Sequence, residues 1–285
     1  VKGTLAAIAA VGLSATLLVA WMTMPDRAAG PCVVVHGPSF LPDIHEASGL
    51  AVSRRTPDVL WSHNDSGSGP ILYALDPDGR LLGRVRVPAR ARDWEDISAA
   101  RCAAGDCLYI GDIGDNRLAR PSVQIYRVPE PAVSDAETAP PDVFNATYAD
   151  GAQNAEAMFV VDDDLFIVTR DRSGGLYRST LTSSSSRDLR LERLGQLGLA
   201  SVTDAETSRD GRSVVVRTSH EAVLYRAADF ERGVIDPYLR IPIDGLKEPQ
   251  GEAVALDGNL LYLASEGRPW HHGGRLVGLR CTFPE

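Results

Sequence analysis

The sequence predicts an all-β fold, a five-bladed β-propeller of four-stranded antiparallel blades whose ring is closed by an N-terminal strand. Three observations carry that prediction. First, a short motif recurs at intervals of about fifty residues. In it an acidic or hydroxyl residue opens an apolar run: Ser48, Glu95 in Trp94-Glu95-Asp96-Ile97, Glu156, Asp204 in Thr203-Asp204-Ala205-Glu206, and Glu252. Second, each interval holds further short β-branched or aromatic runs separated by Asp, Gly and Ser turn residues, the signature of strands joined by tight turns. Third, the last repeat is one strand short, and the run Cys32-Val33-Val34-Val35 can supply the missing strand.

Residues 1–30 read as a separate unit. Lys2 precedes an uncharged apolar stretch over 5–24, followed by polar and small residues. A positive head and an apolar segment read as a secretory signal, and about 20 apolar residues also suffice to span a bilayer. A cleaved signal and a retained anchor both export the body, 31–285, and the membrane is then met only through the N-terminal segment. Pro31 beside Cys32 argues against a lipid-modified cysteine.

The second repeat gives strands at 108–110, 123–128 and 143–148. The third gives 157–161, 165–169, 176–181 and 189–197, and the fourth 213–217, 222–226 and 238–243. Tyr73, Tyr126, Tyr177 and Tyr225 mark the third strand of four copies. The interval between Glu95 and Glu156 is longer than the others and holds Pro129, Pro131, Pro140 and Pro141, which predicts an exposed loop between third and fourth strands. Residues 182–186 read as another solvated loop. The fifth repeat supplies 260–264 and 275–281 before the chain ends at Glu285. Pairing 32–35 with 275–281 closes the ring and removes the sheet edges that invite association, so a monomer is expected.

Composition narrows the partners. The 285 residues are 44% hydrophobic and 24% charged, enough apolar content for a packed core. Net charge is −9, and Lys2 and Lys247 are the two lysines. Without a clustered basic surface the chain is not expected to bind nucleic acid. The expected partner is a small-molecule or cell-surface ligand. Four cysteines suit an exported body and allow three pairings. Ring closure sets Cys32 and Cys281 on adjacent strands, and Cys102 and Cys107 flank a short loop, so these two disulfides are expected. Zinc is the competing reading, and it lacks the usual second ligand pair.

Strand direction identifies the functional face. In a closed ring the loops joining second to third strands return to the end where the first strands begin. Ser62-His63-Asn64-Asp65, Gly111-Asp112-Ile113-Gly114-Asp115-Asn116, Thr169-Arg170-Asp171-Arg172, Arg217-Thr218-Ser219-His220 and Ser265-Glu266-Gly267-Arg268 therefore surround the motif residues. Four carboxylates converging on one axis repel one another unless something offsets them. A hard cation such as calcium would take Ser48, Glu95, Glu156, Asp204 and Glu252 as ligands. Alternatively Arg170 and Arg217 reach inward as ion-pair partners, or the acids satisfy backbone N–H groups and line a water-filled channel. His63 and His220 sit on the same face as candidate bases, whereas His271 and His272 read as surface loop. Asp112 and Asp115 admit a second cation or a turn whose acids bond their own backbone. In a hydrolytic reading Arg170 and Arg217 clamp a phosphoryl group, Asp65 orients water and His63 is the base.

With these residues in view, the chain resembles the five-bladed propeller of the calcium-dependent apyrases. That resemblance implies a ring of Ser, Glu, Glu, Ser and Glu around a central calcium, matched by Ser48, Glu95, Glu156, Asp204 and Glu252, with Asp204 in place of the second serine. It also implies nucleotidase activity, although the longer signatures for base and phosphates are not recognisable. The chain is similar as well to exported bacterial propellers that share Asn-Asp-Ser-Gly, Asp-Trp-Glu-Asp-Ile and Gly-Asp-Ile-Gly-Asp-Asn, which implies no particular reaction. Two function classes follow: a metal-assisted hydrolase of phosphoanhydride or phosphoester bonds, and a non-catalytic binding module with a structural ion.

Overall fold

In the computed structural model the described residues are 30–65, 67–181, 187–267 and 273–284. The N-terminal unit lies outside them, as do the 182–186 loop, Arg268, His271 and His272. Among the described residues no helix is long and apolar enough to cross a membrane.

The described residues are all-β, with twenty strands and one short α-helix among them. One four-stranded antiparallel sheet runs in sequence order through β2 (Ala47–Val52), β3 (Leu60–Asn64), β4 (Ile71–Leu75) and β5 (Leu81–Arg86). Another holds β14 (Val202–Thr207), β15 (Ser213–Thr218), β16 (Glu221–Arg226) and β17 (Leu239–Pro242), with α1 (Ala227–Arg232) inserted before β17. The third combines β18 (Gln250–Asp257), β19 (Leu260–Glu266) and β20 (Gly274–Cys281) with β1 (Cys32–Leu41), which pairs antiparallel with β20 in a register that sets Cys32 opposite Cys281. Both expected disulfides, Cys32 to Cys281 and Cys102 to Cys107, are formed. Such bonds persist in oxidising, extracytoplasmic surroundings.

The remaining eight strands form one sheet rather than two, so the sheets number four where five were expected. Strands β6 (Trp94–Cys102), β7 (Gly105–Asp112), β8 (Val123–Pro129) and β9 (Asp142–Tyr148) form one antiparallel run. Strands β10 (Ala155–Val161), β11 (Asp164–Thr169), β12 (Gly175–Thr180) and β13 (Asp188–Gln196) form the other. The cause is the length of β13. Its C-terminal half pairs with β12, and its first residues, Asp188 to Leu191, lie parallel to β9 from Asn145 to Tyr148. Asn145 reinforces the junction, its backbone N–H donating to the Arg187 carbonyl and its amide to Asp188.

The first strands β2, β6, β10, β14 and β18 contact one another in cyclic order, β18 returning to β2. Five buried apolar clusters fill the spaces between successive antiparallel runs. One of them stacks Phe159 on Phe166, with centroids 4.9 Å apart, and sets Phe230 of α1 edge-on to Phe159. The four marker tyrosines are all buried in these clusters.

The proline-rich insert joins the third and fourth strands as expected, with 134–137, 139 and 140 exposed while Glu130, Pro131 and Thr138 are buried. It runs along β5, where Arg86 N donates to Ala136 O (3.0 Å) and Thr138 N to Arg86 O (2.9 Å). The Val133 carbonyl presses on Gly83, where a Cβ would come within 2.0 Å of it. Covering β5 satisfies an edge that would otherwise offer unpaired N–H and C=O groups. At the insert's start the buried Glu130 accepts from Ser53 Oγ, from Arg54 N and Arg55 N (both 3.1 Å) and from Trp61 Nε1 (2.9 Å).

Candidate metal centre

Every inner strand carries a register shift near its start, between Ala47 and Leu50, Trp94 and Asp96, Ala155 and Ala157, Val202 and Asp204, and Gly251 and Ala253. Such bulges re-aim one side chain out of the alternation of the strand. The bulged residues are Ser48, Glu95, Glu156, Thr203 and Glu252. Asp204 is therefore displaced from the expected ring: the equivalent position in its strand is Thr203, and Asp204 lies one residue deeper, in phase with Asp96.

That deeper layer is structural. The inner strands converge without sharing a backbone ladder, and their side chains bridge the gaps. The Asp204 carboxylate accepts from Val254 N, Asp96 accepts from Met158 N and Ile97 N, and Glu206 accepts from Ala99 N (2.9 Å). Ser48 Oγ donates to the Glu95 carbonyl (2.7 Å) and Thr207 Oγ1 to the Val160 carbonyl (2.8 Å). Asp96, Asp204 and Glu206 are fully buried, and burial pushes all three carboxyls above their ordinary range. Asp204 thus satisfies a backbone N–H group, one of the roles expected for these acids, but it is fully buried and lines no open channel.

Three carboxylates converge at the open end above this layer. Asp65 follows β3, Asp93 precedes β6 and Glu95 is the β6 bulge; their oxygens lie within 4.8 Å of one another. Burial, then Asp65 and Asp93, push Glu95 up to about 9, and Arg170 offsets part of that. Burial and Asp65 likewise raise Asp93. The backbone of Gly114, in the turn after β7, closes on the pair: a Cβ there would lie 2.1 Å from Glu95 Oε1 and 2.4 Å from Asp93 Oδ2. Among the described residues this is the group of three that could share an ion; Glu156 and Glu252 lie outside it, although Glu252 adds to the push on Glu95.

Glu156 is instead paired with Arg170, whose side chain is 38% exposed over the open end. Glu252 accepts from Gln250 Nε2 (2.9 Å), and burial raises its carboxyl. Glu266 at the end of β19 is pushed up to about 7 by burial and by Glu252 and Asp65. The open end is thus rich in carboxylates that resist ionisation, the environment a cation would relieve.

Two residues expected on the open face lie below it. Arg217 is fully buried and donates to the carbonyls of Ala253 (2.7 Å) and Ala264 (3.1 Å) and to Glu248. It fastens β15 to β18 and β19, which a guanidinium fork does where two carbonyls and a carboxylate converge. His63 is also fully buried, its Nδ1 3.0 Å from the Asn64 carbonyl and its ring edge-on to Trp94 at 5.7 Å. Burial lowers its pKa, so the imidazole is neutral. Asp65 stands at the open end as expected. His220 is exposed and paired with Asp244 (2.8 Å).

The Gly-Asp-Ile-Gly-Asp-Asn run supports the centre from behind. Asp112 pairs with Arg120 (2.8 Å) and accepts from Arg92 N (3.0 Å), beside Asp93. Arg120 Nη1 donates to the Gly114 carbonyl (2.8 Å), and Asp115 accepts from Ala119 N and Arg120 N. The acids of this run thus hold their own turn.

Sequence reasoning missed Asp93 and Thr203. Both had a signal. Asp93 lies two residues before Glu95, a spacing that can return to the same side of an extended chain. Matching Glu95-Asp96 to Thr203-Asp204 by their aspartates would have placed Thr203 in the ring.

No protein-family profile matches the chain, and no curated protein matches it. Solved structures of slight likeness include hydrazine synthase of Kuenenia stuttgartiensis, at 11% identity over 80% of this chain and 58% of that one, with a TM-score of 0.38. The chain therefore spans less than two thirds of that protein. A Bacteroides uniformis protein described as a 6-phosphogluconolactonase is 16% identical over 82% of this chain and 71% of its own, with a TM-score of 0.43. A chain of the mitotic checkpoint complex is 14% identical over 92% and 68%, with a TM-score of 0.36. Likeness at this level transfers no activity.

Proposed function

We propose that this is an exported, monomeric five-bladed propeller, two of its blades fused by the β13 and β9 pairing, that binds a calcium-like cation at its open end and presents it to a small-molecule or cell-surface ligand. The observation that carries this reading is the convergence of Asp65, Asp93 and Glu95 against the Gly114 backbone. Carboxylate oxygens suit a hard cation, and Ca²⁺ accepts the irregular, partly hydrated shell that three carboxylates and water would give. The bulge residues Ser48, Glu95, Glu156, Thr203 and Glu252 also fit the apyrase pattern, with a hydroxyl at both serine positions. The N-terminal segment, as signal or anchor, accounts for export.

A hydrolytic reading is favoured by one feature, the exposed guanidinium of Arg170 beside the carboxylates. In it the cation polarises a phosphoryl oxygen and Arg170 stabilises charge, with Asp65 orienting water. Arg217 and His63 take no part. Calorimetric titration with calcium should show one site that Asp93→Asn and Glu95→Gln each weaken at least about tenfold. A phosphatase and nucleotidase panel run with and without calcium then separates the readings. Calcium binding without calcium-dependent turnover leaves the binding module, and turnover lost in Arg170→Ala establishes the hydrolase. An absence of calcium binding refutes both.

A further inference from the structure

Gly114 closes on Asp93 and Glu95, and the peptide that joins it to Asp115 is pinned at both polar ends. The Gly114 carbonyl accepts from Arg120 Nη1 (2.8 Å), a side chain of the same turn. The Asp115 N–H donates to Asn154 Oδ1 (2.7 Å), which comes from the neighbouring antiparallel run. On its other side Gly114 N donates to the Asp93 carbonyl (3.3 Å). The backbone that faces two of the three carboxylates is therefore oriented from outside its own turn as well as from within it.

Asn154 stands one residue before β10 and two before Glu156. Its amide has one orientation: Oδ1 must meet the Asp115 N–H, which leaves Nδ2 to donate to Asn116 Oδ1 (3.2 Å). Its own carbonyl accepts from Arg170 N (3.1 Å). One residue thus holds the turn beside the carboxylates by its side chain and the backbone of Arg170 by its main chain. Crowded carboxylates repel one another, so the contacts behind them decide whether all three stay turned towards one ion.

We propose that Asn154 is a positioning residue of the cation centre: by fixing the Gly114–Asp115 peptide it keeps Asp93 and Glu95 directed at the ion, and it ties that ion's turn to Arg170. The inference rests on the cation centre proposed above. Arg120 holds the same peptide, but its ion pair with Asp112 also secures the turn itself, so its removal would mix positioning with loss of the turn. Asn154 separates the two, because it acts from the adjoining strand run.

The test uses terbium in place of calcium on the purified full chain, since luminescence lifetimes in light and heavy water count the waters bound to the ion. Asn154→Ala should weaken terbium about tenfold and raise the number of bound waters by about one, as a carboxylate turns away and water takes its place. Asn154→Asp keeps the acceptor for the Asp115 N–H and should retain the wild-type water count. Asn145→Ala, which removes a side-chain bond at the β13 and β9 junction, should leave both affinity and water count unchanged whatever it does to Tm. The proposal is overturned if Asn154→Ala matches wild type in affinity and water count, if Asn154→Asp gains water as Asn154→Ala does, or if Asn145→Ala reproduces the effect. If the wild-type chain binds no terbium in the same titration, the cation centre itself falls and this inference with it; normal wild-type binding with an unresponsive Asn154→Ala refutes the positioning role alone.

Discussion

Replacing Asp204 by asparagine should stabilise the protein at neutral and alkaline pH. Asp96 and Asp204 are completely buried on facing inner strands, and both carboxyls are raised, first by burial. Asp96 accepts backbone N–H bonds at both oxygens, from Ile97 and Met158, whereas Asp204 uses Oδ2 for Val254 and its Oδ1 has no donor. The economical arrangement is one proton shared between Asp204 Oδ1 and Asp96. Taking up that proton on folding at pH 7, from an unfolded pKa of about 3.9, costs about 4 kcal/mol. An asparagine can accept from Val254 N and donate to Asp96 without it. Imperfect amide geometry will consume part of the gain, so about 1 to 3 kcal/mol should be recovered, or roughly 2 to 10 °C in Tm. Because the folded pKa is raised, the wild-type contribution is complete below the unfolded pKa and is lost as pH rises through the folded value. The difference between Asp204→Asn and wild type should therefore be large at pH 8 and shrink towards pH 4. Thermal unfolding followed by circular dichroism across that range decides it. A variant destabilised equally at both ends would refute the shared proton and return Asp204 to the role of cation ligand.

Gly114→Ala should lower calcium affinity at least about tenfold and reduce Tm, because its Cβ would occupy the space of Glu95 Oε1 and Asp93 Oδ2; calorimetry on the folded variant checks it. Arg217→Met should cost about 3 to 5 kcal/mol in urea unfolding by leaving Glu248 and two carbonyls without their partner. Arg170→Ala, at a partly exposed pair, should cost less than about 1 kcal/mol, and equal losses at the two arginines would contradict their different placement. Glu130→Ala should cost about 2 to 4 kcal/mol by stranding buried donors, Trp61 Nε1 and the Ser53 hydroxyl among them, and hydrogen exchange should rise first in the 53–56 turn.

Much of the fold was legible because period and strand pattern are local properties of the sequence. The closing strand and its disulfide followed from a last repeat that lacked a partner, and β1 pairs with β20 in that register. The β13 and β9 junction was not legible, since it depends on how far one strand outruns its neighbour in space. That the insert covers the β5 edge was hidden for a related reason: prolines mark where a ladder cannot continue, not whether the segment lies along an edge. At the site, the spacing of the acids located the open end but not the bulges that rotate one residue per strand, so Asp204 stood in for Thr203. Burial was the other hidden variable. Arg217 and His63 read as polar surface from their neighbours in sequence, and the packing of adjacent sheets encloses both.

The central claim is a cation held by Asp65, Asp93 and Glu95. Terbium substitutes for calcium at oxygen sites and scatters X-rays anomalously, so crystals of the protein grown with terbium locate the ion directly. The account predicts one strong anomalous peak within coordination distance of carboxylate oxygens from all three residues, beside Gly114, and its disappearance in Asp93→Asn. A peak seated instead among Asp96, Asp204 and Glu206, or no peak at the open end in well-diffracting crystals, would contradict it.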